Sequence, residues 1–330
     1  MIVLLVLLAL EILMAGYIAT RFLRYQVAPT PVLRATTFTS VAVLIGLLSV
    51  TEPIEAVLRA GGALVWLPTL LKHLSVLGCC AGVLLLALAE RGRLNGRSES
   101  GVWALLIVVS LTVAGLHVSA GGGGMLTSVD YVEWSHSVVA LRVAMIITYL
   151  GGLGACSGLL FVLWPLDLRT AAGRGLAILA SATPFLAGWC ILRMRYVWAA
   201  SQSMTLPSDQ ELLVTQLLSL AGGLLLTVGL VWSTAETDVS ALRHWRQFRS
   251  LNHRALDVVP AVRKHSDFRF GVDMWVHDRA IEVLDALHQI QRTTGHRDTG
   301  FPRPPAQVSD SELTAVVADL GRHHLERTRT

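Results

Sequence analysis

Apolar residues fill seven long stretches of the chain, and the polar residues collect in the short segments between them. The seven runs cover residues 2–20, 36–50, 63–89, 102–119, 138–164, 176–194 and 212–233. A helix that crosses a membrane needs about 20 mostly apolar residues, and every run except the second meets this requirement on its own. The pattern therefore predicts an all-α membrane protein, with a seven-transmembrane-helix bundle over residues 1–234.

The loops between the runs alternate between many arginines and few. The first, third and fifth loops carry Arg21, Arg24 and Arg34; Arg91, Arg93 and Arg97; and Arg169 and Arg174. The second loop has only Arg59, and the fourth has no lysine or arginine. Because cytoplasmic loops are rich in basic residues, this alternation places the amino terminus outside and the end of the chain in the cytoplasm. We expect a multi-pass protein of the plasma membrane, with the lipid bilayer as its main partner.

The composition agrees with this class. Hydrophobic residues make up 53% of the chain and charged residues 15%, which excludes an ordinary soluble domain. The net charge of +4 does not indicate a nucleic-acid partner, because topology alone explains the loop arginines. No catalytic motif, metal-ligand spacing or cofactor signature is present: the H-E-x-x-H and G-x-S-x-G patterns are missing, and the adjacent Cys79 and Cys80 lack the spacing of a redox or zinc pair.

Residues 235–330 predict a small cytosolic α-helical tail. The segment 243–264 alternates basic and apolar residues at helical spacing, up to Pro260, which ends or kinks the helix. This helix could lie on anionic lipid, or it could be an output helix continuous with the last membrane helix. A second helix over about 272–292, a Pro/Gly linker near 295–307 and a last helix after a Ser309/Glu312 capping box complete the tail.

Several ionisable residues interrupt the apolar runs, and all lie in the half of the membrane predicted to face outside. They are Glu11, Lys72, His73, His117, Arg142 and Arg193. Such residues are costly in lipid and usually face a protein interior or a wet cavity. They predict an outward-facing polar vestibule that serves as a ligand or substrate pocket. The alternatives are an Arg193 side chain that reaches the interface, an interfacial His117, and a neutral His73 hydrogen-bonded within the bundle.

Lys72 lies too deep to reach the interface easily. Glu11 is the carboxylate at matching depth, so the sequence predicts an ion pair between them that joins the first and third helices. The alternative is a pocket lysine that meets a ligand directly.

The second tail helix carries Arg279, Glu282 and Asp285 on neighbouring turns. Arg279 and Glu282 are three residues apart, which favours an ordinary ion pair on one helix. The alternative is an interaction face for an unidentified cytosolic protein.

Five segments carry a resemblance to known proteins. They read LLKHLS at 70–75, LRHW at 242–245, LDVVP at 256–260, DFRF at 267–270 and RAIEVLD at 279–285. They are similar to segments of actinobacterial multi-pass membrane proteins labelled as transporters, which end in a cytosolic helical domain of unknown function. The resemblance covers nearly the whole chain and implies the same architecture. It departs at Leu284 and Ala286, where that family commonly has arginine and glycine.

Two classes of function remain open. In a sensor or signalling protein, the outer vestibule binds a small ligand and the tail passes the signal to a cytosolic partner. In a small-solute transporter, the region of Glu11, Lys72 and His73 is the substrate site and the tail is a gate or assembly domain. A structural scaffold without a ligand is a third alternative.

Overall fold

The computed structural model describes residues 2–27, 29–49, 66–120, 137–164, 167–202, 208–262, 271–294, 301–305 and 307–327. The regular structure in these ranges is helical, without strands. The helices are α1 (Ile2–Val27), α2 (Pro31–Leu48), α3 (Leu67–Glu90), α4 (Gly96–Ala120), α5 (Val139–Leu163), α6 (Ala171–Ser201), α7 (Asp209–Val258), α8 (Val272–Thr294) and α9 (Leu313–Arg327), with a 3-10 turn at Pro260–Val262.

Six helices of the described chain, α2 to α7, are long and apolar enough to cross a membrane. The all-helical class is thus confirmed, and these helices fit a multi-pass membrane protein. The first apolar run forms α1, a 26-residue helix that is not among the six. The seventh crossing therefore stays a prediction.

The chain divides into two compact units, Met1–Trp232 and Ser233–Thr330. The helix that contains the last apolar run does not end at this division, since α7 continues unbroken to Val258. The residues after Ser233 are polar, so this part of the helix suits water and not lipid. They do not interrupt the helix, because Ala, Glu, Ser and Thr are all compatible with a helical backbone. Pro260 does stop it, as predicted, because the residue before a proline is disfavoured in the α region.

In the first unit, α2 and α3 pack closely through small residues. The two helices are antiparallel, so that Ala42 lies opposite Gly78 and Thr39 lies opposite Gly82. A methyl group added to Gly82 would lie only 2.3 Å from the Thr39 hydroxyl oxygen. That hydroxyl donates to the carbonyl of Ala35 at 2.7 Å, so its hydrogen bond is satisfied within its own helix. Small residues that let backbones approach are typical of helix pairs in membranes.

The second unit is built from the end of α7, α8 and α9 around its own core. The core residues include Phe248, Leu251, Val276, Val283, Leu287 and Val317. Helices α8 and α9 cover the two segments that the sequence predicts to be the second and last helices of this region. Before α9, the Ser309 hydroxyl donates to the Glu312 carboxylate at 3.0 Å, while the Ser309 carbonyl accepts the Glu312 amide. Of the predicted linker near 295–307, only 301–305 and 307 belong to the described residues.

Candidate functional site

Two histidines meet inside the first unit. His73 of α3 and His117 of α4 are 4% and 1% exposed, and the Nδ1 atom of His73 lies 3.1 Å from the Nε2 atom of His117. For this hydrogen bond to form, one of the two nitrogens must be protonated and donate, and the other must be unprotonated and accept the hydrogen bond. The expectation that His73 is hydrogen-bonded in the bundle is confirmed. His117 is buried because α3 and α5 pack against α4 and cover this side chain. The alternative of an interfacial His117 stays a prediction.

Aromatic side chains extend the histidine pair towards α5 and α6. The ring of Tyr149 meets His73 edge-on at 6.3 Å between centroids, and the ring of Trp189 meets Tyr149 at 5.3 Å in the same manner. Both aromatic residues are buried. No pattern in the sequence selected them, because an aromatic residue in an apolar run is most often a packing residue. Four consecutive helices thus contribute to one buried cluster.

Two cations lie next to this cluster. Arg193 of α6 is close enough to Lys72, His73 and Tyr149 to interact electrostatically with each of them. Lys72 and Arg193 are both half-buried, and the Nε atom of Arg193 is buried without a hydrogen-bond partner among the described residues.

The alternative that Arg193 reaches the membrane interface stays a prediction, but the helix that carries Arg193 is longer than the apolar run. The apolar run ended at residue 194, but α6 continues to Ser201. Arg193 therefore lies about two turns from the helix end and not at its last residue.

The predicted ion pair between Glu11 and Lys72 is wrong. Glu11 is buried in α1, but none of the ion pairs in the described part of the chain joins it to Lys72. Helix α1 packs against α2, whereas α3 packs against α2, α4 and α5. Matching depth in the membrane does not make two helices neighbours, and here the electrostatic neighbour of Lys72 is Arg193.

The sequence predicts that Arg142 belongs to the pocket, but the structure does not bring it together with the other predicted pocket residues. It lies in the first turn of α5 and is half-buried, with its amide donating to the Val138 carbonyl at 3.0 Å. No contact recorded between described residues joins it to the histidine pair. Of the six predicted pocket residues, the structure brings together Lys72, His73, His117 and Arg193.

The tail residues form a buried pair. The Arg279 Nη1 atom donates to the Glu282 carboxylate at 2.7 Å, and the guanidinium also lies over the ring of Trp275. The Glu282 side chain is 0% exposed, whereas Asp285 is exposed. The ion-pair alternative is confirmed. Because the Glu282 carboxylate is fully buried, it cannot contact a cytosolic protein. Of the three residues predicted for an interaction face, only Arg279 and Asp285 could contribute to it.

The basic segment 243–264 has one face in the tail core. Phe248, Leu251 and Ala255 are fully buried against α8 and α9, while Arg243, Arg246, Arg249 and Arg254 are exposed. Its apolar face is therefore not available for insertion into lipid, in contrast to the predicted amphipathic surface helix. Any attraction to anionic lipid must act through the exposed arginines. Residues 263 and 264 lie outside the described ranges.

Within the described ranges, no group of three or more His, Cys, Asp or Glu residues could hold a metal ion. Comparison of the chain with protein-family models, with curated proteins and with solved structures finds no match. The resemblance to the actinobacterial family thus stays a prediction. The buried cluster and the tail unit are the two features that can support a function.

Proposed function

We propose that this chain is a sensor or signalling protein of the plasma membrane that binds a small ligand in the outer half of its bundle. Its tail is cytoplasmic and relays the bound state to an unidentified cytosolic protein. The observation that carries the proposal is the cluster of Lys72, His73, His117 and Arg193. Charged and polar side chains inside a membrane domain are costly, so they are usually functional.

The polar cluster occupies one end of α3 only. Beyond Ser75, the buried residues of α3 are all apolar: Leu77, Gly78, Ala81, Gly82, Val83, Leu85, Leu86 and Ala87. A transporter of polar solutes needs polar groups that continue towards the other side of the membrane. The apolar half of α3 thus favours a one-sided ligand site over a transport path. The transport alternative also placed Glu11 beside Lys72, and this pair is not formed.

The tail supports an output role because it has a core of its own. The unit Ser233–Thr330 packs three helical segments around buried apolar residues and holds the Arg279–Glu282 pair inside. A segment that only supplied basic residues on the cytoplasmic side would not need a hydrophobic core of its own. The exposed arginines of the 243–264 segment add a site where anionic lipid can bind through charge.

A test of the relay compares two arginines of α6. Arg193→Gln removes a charge from the buried cluster, whereas Arg195→Gln removes an exposed charge that pairs with Glu211 at 3.1 Å. The full chain is placed in lipid nanodiscs, and hydrogen exchange is measured by mass spectrometry for the amides of α8 and α9. We expect exchange in the tail to change for Arg193→Gln and to stay at the native rate for Arg195→Gln. A tail that exchanges at the native rate in both variants would contradict the relay, as would an equal change in both.

A further inference from the structure

Among the described residues, the buried cluster has an excess of positive charge. Arg193 acts electrostatically on Lys72, His73 and Tyr149. The other groups that act on His73 are His117 and Lys72, and Cys190 acts on Tyr149. No carboxylate is recorded among these interactions, and Glu11 packs elsewhere. Two like charges close together in a membrane domain raise the free energy of each other, in addition to the cost of inserting each one. A bound anion would offset this cost.

The cluster also holds a hydrogen-bond donor that lacks an acceptor. The Nε atom of Arg193 is buried without a hydrogen-bond partner among the described residues. A buried donor without a partner destabilises the fold, and an acceptor on a bound ligand would remove this cost. The guanidinium presents a planar fork of N–H groups that matches the oxygens of a carboxylate or phosphate, and an ammonium adds a compact point charge.

We propose that Lys72 and Arg193 form a binding site for an oxyanion, with the His73–His117 pair and Tyr149 as its inner wall. This inference rests on the proposed function and names the chemical class of its ligand. The oxyanion belongs either to a small solute or to the phosphate of an anionic lipid headgroup. Both share the negatively charged oxygens that the two cations and the Arg193 Nε donor require. Among the described residues, the wall supplies aromatic edges and ring nitrogens and no competing carboxylate.

The test uses the full chain with inorganic phosphate and with phosphatidylglycerol as separate probes. In the first arm, radiolabelled phosphate is titrated onto the protein in phosphatidylcholine nanodiscs at constant ionic strength. In the second arm, the protein is exchanged into mixed phosphatidylcholine and phosphatidylglycerol discs, and native mass spectrometry counts the retained anionic lipid. Saturable binding in the first arm identifies a solute site, and retention in the second alone identifies a lipid site. Either result upholds the oxyanion class.

Three variants tie the binding to the site. We expect Lys72→Met and Arg193→Gln each to weaken binding by about tenfold to a hundredfold, as the loss of a charged hydrogen bond predicts. The matched control Arg195→Gln changes an exposed arginine two residues away and keeps the native affinity. If Arg193→Gln fails to fold, Arg193→Lys retains the charge without the planar fork and is expected to bind more weakly than the native protein but to elute as the same species from a sizing column.

Absence of binding in both arms, or binding that neither Lys72→Met nor Arg193→Gln weakens, would overturn the oxyanion site. The relay fails separately. Phosphate or lipid binding at this site without any response of the tail in hydrogen exchange leaves the oxyanion site standing and contradicts the sensor proposal. A tail that responds to Arg193→Gln in a protein that binds neither probe contradicts the oxyanion site alone.

Discussion

Gly82 has no side chain, and the space that a methyl group would need is already occupied by Thr39. The added carbon would lie 2.3 Å from the Thr39 hydroxyl and 3.0 Å from the Thr39 Cα atom, which belongs to the backbone of α2 and cannot rotate away. Gly115 of α4 is also in a helix, but an added methyl group there meets nothing within 4 Å. Alanine substitutions at the two glycines can therefore be compared. The substitution at Gly82 tests helix packing, and the one at Gly115 tests only the helix propensity of the backbone.

We predict that Gly82→Ala lowers the free energy of unfolding by about 1–3 kcal/mol, because the close approach of α2 and α3 cannot accommodate the extra carbon. Gly115→Ala is expected to raise it slightly, by up to about 1 kcal/mol, since alanine is the better helix former. Thermal unfolding in one detergent, followed by circular dichroism, measures both. A Gly82→Ala protein as stable as Gly115→Ala would show that this packing is looser than described.

Within single elements, burial decides the energetic weight of a charge. On α8, Arg279 and Glu282 are three residues apart and the carboxylate is fully buried; on α9, Asp319 and Arg322 have the same spacing at 3.8 Å, but both side chains are more than half exposed. The spacing predicts similar pairs. Only the burial distinguishes a pair inside the tail core from one that water screens.

Arg279→Met is therefore predicted to destabilise the tail by on the order of 3 kcal/mol, because the buried Glu282 carboxylate would lose the positive charge of Arg279. Arg322→Met removes the exposed partner and is expected to cost less than about 1 kcal/mol. Native-state hydrogen exchange of the amides around Val283 and Leu287, measured in the full chain, reports the local free energy of opening. Equal exchange rates in the two variants would contradict the role given to the buried pair.

At the level of the whole molecule, the parity of the crossings fixes which side each end occupies. If α1 crosses the membrane together with the six helices α2 to α7, the two ends of the chain lie on opposite sides. If α1 does not cross, both ends lie on the same side. The arginine-rich loops favour the first arrangement, with the amino terminus outside and the tail inside.

Labelling of single cysteines decides the topology. In a chain whose four native cysteines are replaced, we expect a membrane-impermeant maleimide to label Gly122→Cys in intact cells, because the fourth loop has no basic residue. Ser309→Cys should react only after the cells are opened, and an epitope added before Ile2 should be accessible from outside. Labelling of Ser309→Cys in intact cells would overturn the cytoplasmic tail, and an inaccessible epitope would show that α1 does not cross.

The sequence by itself predicted which segments of the described chain are apolar helices, although not all of their ends, and it predicted the proline that follows the longest of them. Long apolar runs become helices because a backbone in hydrocarbon must satisfy its hydrogen bonds locally, which is a property of each segment alone. Helix α7 ends at Val258, two residues before Pro260, whose ring lacks an amide donor and restricts the residue before it. The sequence also selected Lys72, His73, His117 and Arg193, because an ionisable residue in an apolar run needs an explanation wherever it occurs.

Only the tertiary structure decided which of these residues meet. Depth along a helix says how far a side chain lies from the membrane surface but not which helices are neighbours. Lys72 therefore interacts electrostatically with Arg193 and does not pair with the equally deep Glu11. The additional length of α6 and the packing around Glu282 were likewise not readable from periodicity. These features depend on contacts between segments that are distant in the chain, and a local pattern carries no information about such contacts.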